Sequence, residues 1–187
     1  MKKLVLGTFA LACAGLSLPL LAQDTSGAAG SMSAEAVGAA PMTGTPSASY
    51  VAWAADSDMY ELQSSKLALS KSKNAHVRMM AQQLIADHTK TTKSLMAALP
   101  KTEPKVPKPP KKLSAENEAM VAQLRAASGN NFDTLYLQQQ AQAHQKAWSL
   151  HKGYATDGTD PALKQVATSA VPIIEAHIQH LKSAPAS

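Results

Sequence analysis

Three histidines carry most of the chemistry this chain could do. His88, His144 and His177 each fall on the apolar side of a different predicted helix, and imidazole is at once a metal ligand, a proton carrier and a hydrogen-bond partner. Brought together in one core, they would form a mononuclear site for zinc or copper, with Glu61 or a water completing the shell. The same three rings could instead make a structural polar cluster. Asp133, Tyr136, Gln140 and His144 share one helical face, and such a row can satisfy buried donors and acceptors locally. The structural cluster is the first reading, because no spacing motif selects a metal.

Other chemistries lack their residues. The positions three before the histidines are Ile85, Ala141 and Ile174, so no Glu-x-x-His occurs and a carboxylate-bridged di-iron site is excluded at this level. Glu175 stands two residues before His177, which on a helix turns it roughly 160–200° away. There is no glycine-rich phosphate loop, no nucleophile elbow and no Cys-x-x-Cys-His for haem. Met59, Met79, Met80, Met96 and Met120 make no copper motif and read as core filler. The expectation is a non-enzymatic protein with no cofactor, whose partner in the cell envelope and oligomeric state the residues do not specify; the metal-binding bundle is the alternative.

The amino terminus has the layout of an export signal. Met1-Lys2-Lys3 is a basic start, Leu4 to Leu18 an apolar run, and Pro19 with Ala22 a break and a small residue before Gln23. Cleavage after Ala22 gives a periplasmic or otherwise exported chain of 187 − 22 = 165 residues. An alternative is a lipoprotein anchored through Cys13, with Leu11 and Ala12 as the lipobox. The single cysteine lies within residues 1–22, so the mature domain is expected to have neither disulfide nor thiolate ligand. No later run approaches the ~20 apolar residues of a membrane span.

Charge is uneven. Lys2 and Lys3 account for two of the net +5, and Lys101, Lys105, Lys108, Lys111 and Lys112 against Glu103 put a local +4 into one loop. The rest is close to neutral, which argues against a nucleic-acid-binding face.

These candidate residues need long helices to position them. Residues 23–49 are rich in Ala, Gly, Ser, Thr and Pro, a composition expected to form a disordered linker. From Tyr50 the texture becomes Ala, Leu, Met, Gln and Lys, without proline until Pro100 or glycine until Gly129. That predicts a helix over 50–71 and a second over 75–99 capped by Asn74. Pro100 to Leu113 holds five prolines and cannot be helical. Ser114 can cap a short helix to about Ser128, and a third long helix follows over 132–155. Asp160 and Pro161 open a last helix to about Lys182, bent at Pro172, before a tail over 183–187. The sum is one all-α domain over 50–182, an antiparallel bundle with a long connector and one extra short helix.

Asp87-His88, Asn131-Phe132-Asp133 with Tyr136, His144-Gln145, and Pro172 through His177 resemble the exported bacterial domain-of-unknown-function family 4142. The matching stretches span about Tyr50 to Leu181. The resemblance implies a ferritin-like four-helix bundle, which the long connector fits as a crossover, and an exported location. It brings no catalytic residues.

Overall fold

The computed structural model describes residues 31–183, and they are all-α: six helices and no strand among the described residues. They are α1 (Ala34–Val37), α2 (Ser47–Lys71), α3 (Ala75–Ala98), α4 (Ala115–Ala126), α5 (Gly129–Asp157) and α6 (Pro161–Ser183). The long helices pack as a bundle, α2 on α3, α5 on α6, α2 on α5 and α3 on α6.

Local chemistry sets the boundaries. Asn74 accepts from the backbone N–H of His76 and Val77 at the start of α3, Ser114 from that of Asn117 in α4, and Asp160 from that of Leu163 in α6. At the other ends, Lys71 donates to the carbonyls of Leu124 and Ala127 just past α4, and Arg78 donates to Ser72 O beyond α2. α4 stops at Ala126, and α5 begins at Gly129 rather than Phe132. Gly129 has φ 56°, so the chain swings into α5 directly without spending Asn130 and Asn131 on a turn. α6 runs through Pro172 without interruption.

Two apolar clusters cap the bundle's core. One gathers Tyr50 and Val51 from the start of α2, Leu95 from the end of α3, Leu150 and Tyr154 from the end of α5, and Leu163 from the start of α6. The other gathers Ala68, Val77, Leu84, Leu124, Phe132 and Tyr136, with Leu181 packed against it. Between them lie the middles of four helices, which carry the buried polar groups.

The stretch read as a disordered linker is ordered from Ser31 onward. Val37 of α1 packs with Trp148, Ala170 and Ile174, helped by Met32, Ala34 and Ala39. The N–H of Met42 donates to Ser149 O at 2.8 Å, and that of Gly44 to Asp157 at 2.7 Å. Gly153 makes the crossing possible, because a Cβ there would stand 1.9 Å from Met42 O. Average composition hid this: a few apolar residues in register with the α5/α6 surface suffice to dock a polar strap. The strap also lengthens α2, which starts at Ser47 instead of Tyr50. Met80 is buried as core filler, but Met79 and Met96 are exposed, since they fall off the apolar stripe of α3.

The expected signal and lipobox, residues 1–22, lie outside the described residues, as do 184–187 of the tail. Among the described residues no helix is long and apolar enough to cross a membrane.

Candidate functional site

Four helices meet at the middle of the bundle, and each contributes a group. His88 comes from α3, His144 from α5 and His177 from α6, all buried. One ring nitrogen of each lies within 4.8 Å of those of the other two. α2 contributes Asp58 and Glu61 to the surroundings, both buried.

The outer side of every ring is held. His88 Nδ1 is 2.8 Å from Asp58 Oδ1, and the same carboxylate accepts from Thr91 and Thr92 at 2.8 Å each. His144 Nδ1 donates to Gln140 O, one turn back in α5, at 2.9 Å. His177 Nε2 donates to Asp87 Oδ2 at 3.1 Å, and Gln83 and Lys90 also donate to Asp87. Carbonyls and carboxylates only accept, so these partners place the proton of each neutral ring on its outer nitrogen. The inner nitrogens, His88 Nε2, His144 Nε2 and His177 Nδ1, are left with lone pairs.

Those lone pairs face one another. His144 Nε2 and His177 Nδ1 are 3.2 Å apart, and His88 Nε2 is buried with no hydrogen-bond partner. A proton between the rings would reconcile them, but burial holds His144 well below the ordinary histidine range, reinforced by the charges of His88 and His177. Burial likewise lowers His177 to about 4. His88 moves the other way: burial opposes its charge, yet the Asp58 hydrogen bond and the Glu61, Asp58 and Asp87 charges prevail and raise it. For Asp87, burial works upward, and the hydrogen bonds from Gln83, His177 and Lys90 outweigh it to keep the carboxylate low.

Glu61 stands beside this group without joining it. Its Oε1 is 3.7 Å from the outer nitrogen of His144, and its Oε2 is buried without a partner. Burial raises its pKa to about 7, against the pull of His88 and Gln140.

The polar row expected along α5 is divided among separate partners on other helices. Tyr136 pairs with Ser65 at 3.0 Å, and the Gln140 amide donates to Ser64 at 3.1 Å. Gln140 touches His144 through its backbone carbonyl alone. Asp133 is buried, with Oδ1 unpartnered, in the stretch of α5 that carries the Phe132/Tyr136 end cluster. The residues that do hold the histidines include Asp58 and Asp87, to which the sequence alone assigned no role at the site. Asp58 had a signal: Ala54, Asp58, Glu61 and Ser65 follow the three-to-four spacing of the buried face of α2. Glu175 does point away from the cluster, accepting from Trp148 Nε1 and Ser31 at 2.9 Å each.

Fold and site together define an all-α helical-bundle protein with a buried three-histidine cluster. The chain belongs to the family described as Domain of unknown function (DUF4142), which matches residues 32–184. No curated protein and no solved structure matches it.

Proposed function

We propose that this is an exported binding protein of the cell envelope with a ferritin-like bundle, and that its histidine cluster holds one transition-metal ion, zinc or copper. The observation that carries the reading is the convergence of three inward imidazole nitrogens, two of which, His144 Nε2 and His177 Nδ1, face each other 3.2 Å apart on rings held neutral. Outer nitrogens fixed by Asp58, Gln140 O and Asp87 are the arrangement that orients imidazoles for a metal. Around a tetrahedral ion with Zn–N of 2.0–2.1 Å, neighbouring nitrogens sit about 3.3 Å apart; the His144–His177 pair, at 3.2 Å, has that spacing already.

A ferritin-like topology is supported by the two end clusters. The starts of α2 and α6 share a cluster with the ends of α3 and α5, so α3 and α5 run the same way and the chain between them must cross the length of the bundle. The di-iron chemistry of such folds does not fit these residues. Asp58 and Asp87 are engaged on the outer nitrogens, which leaves Glu61 as the one carboxylate beside the rings with a buried free oxygen. Three imidazoles, neutral once they bind, suit a single zinc or copper ion. A nearby Glu61 can balance charge or take the fourth position.

The structural polar cluster is the second reading, favoured by the raised pKa of His88 against Asp58. Cobalt(II) titration of metal-free protein separates the two. One equivalent of bound cobalt with visible ligand-field absorption, lost in His144→Ala and displaced by zinc, is the expected result. No uptake at micromolar cobalt, zinc or copper would leave the structural reading.

A further inference from the structure

We infer that metal ions reach the histidine cluster sideways, through the cleft between α3 and α6, with Asp87 as the docking group at its mouth. This rests on the metal-binding reading above and adds to it the route by which the site fills.

The cleft is lined by Gln83 and Asp87 from α3 and by Pro172, Ala176, His177 and His180 from α6, among others. Its rim is exposed: Gln83, Pro172, Ala176 and His180 all face solvent. Its floor is His177, which is also one of the three converging histidines. A single ring therefore separates open cleft from buried cluster, its Nε2 turned to Asp87 and its Nδ1 to His144.

Other approaches are less direct, since the cleft between α2 and α5 is lined by none of the three histidines. Both ends of the bundle are packed with aromatic and aliphatic side chains, and the face behind His88 is filled by Asp58 with the hydroxyls of Thr91 and Thr92. Asp87 is suited to the mouth because it is a carboxylate with 13% of its side chain still exposed. Its cationic partner Lys90 is 72% exposed, and exposed ion pairs of this kind are easily exchanged for another cation. An arriving divalent ion would displace Lys90, bind Asp87 and pass inward as the His177 ring moves aside.

Stopped-flow cobalt uptake, and cobalt release to a chelator, test this on the full mature chain. Ala176→Phe puts a ring across the mouth and replaces none of the groups that hold the ion. Uptake and release should both slow at least tenfold, with Kd within twofold of the parent. Ala122→Phe, on the exposed face of α4, should change neither rate. Should Ala176→Phe not fold, Ala176→Leu should give a smaller slowing of the same two-sided kind. Parent-like rates in a folded plug variant would overturn the route and leave the metal site standing. A variant that changes Kd without slowing release would overturn the route as well. Absence of cobalt binding by the parent would overturn both.

Discussion

His144 and His151 lie two turns apart on α5, both buried, and they face opposite circumstances. His151 Nδ1 is paired with the Tyr50 hydroxyl at 3.1 Å, and its ring meets the Tyr50 ring edge-on in an aromatic cluster completed by Tyr154. Neither nitrogen of this ring is among the buried atoms left without a partner. His144 has its outer nitrogen satisfied by its own helix and its inner one aimed at a second acceptor. Burial is common to both and explains neither. What separates a core histidine from a candidate ligand is where the second nitrogen points and whether anything there can donate to it.

Zinc should expose the difference most strongly. At a free concentration a thousandfold above Kd, a native-state site adds about 4 kcal/mol, or roughly 8–16 °C of melting temperature for a domain of this size. The parent and His151→Gln should both show this rise, and His144→Ala should show none. Equal protection of all three proteins in a thermal melt would erase the distinction between the two histidines.

The helices were legible in the sequence because their causes are local: Asn74, Ser114 and Asp160 cap where expected, and proline excludes helix from most of the connector. The convergence of His88, His144 and His177 was legible too, since each sits on its helix's apolar stripe. Their outer partners were not. Asp58 reaches His88 from 30 positions away and Asp87 reaches His177 from 90, and periodicity within one helix cannot say which neighbour it will face. The same limit hid the docked strap, whose order depends on Gly153 and Trp148 of α5. Asp133 misled for the complementary reason, sharing a face with His144 but lying three turns away, at the end of the bundle.

Acid should reveal His151 next. Burial lowers its pKa to about 4 from 6.5, so the folded chain keeps it neutral while the unfolded chain protonates it. Its contribution is complete above pH 6.5, declines as pH falls and is gone by about pH 4. Roughly 3 kcal/mol should be lost across that window. His144 and His177 titrate in the same direction, so the parent curve contains all three. Subtracting a His151→Gln curve, measured by urea denaturation of metal-free protein at several pH values, isolates the His151 share. Parallel curves would mean that His151 is not held neutral.

Replacing Asp58 tests whether the outer partners matter to the inner nitrogens. Asp58→Asn keeps the shape of the side chain and removes the charge that orients His88 and raises its basicity. Second-sphere changes of this type weaken metal binding about 10–100-fold, or about 1.4–2.7 kcal/mol. The zinc Kd should move by that factor while the cobalt absorption bands keep their positions, because the ligand set is unchanged. An unaltered Kd would reduce Asp58 to a packing residue.

The smallest effect belongs to Tyr50→Phe. The change removes one hydroxyl and leaves the ring stack with Tyr154 in place, so the loss is that of the His151 hydrogen bond and the stranding of its Nδ1. Removing one partner of a buried pair costs about 1–3 kcal/mol, and the low end applies because His151 keeps 7% of its surface exposed, so that a water can take the vacated place. Chemical denaturation should therefore show about 1 kcal/mol of destabilisation. Zinc affinity should stay within twofold of the parent, since Tyr50 belongs to the end cluster and its bond to His151 touches none of the converging nitrogens. A large fall in zinc affinity would mean that the two histidine environments are one coupled network, and that the pairing of His151 depends on the cluster two turns away.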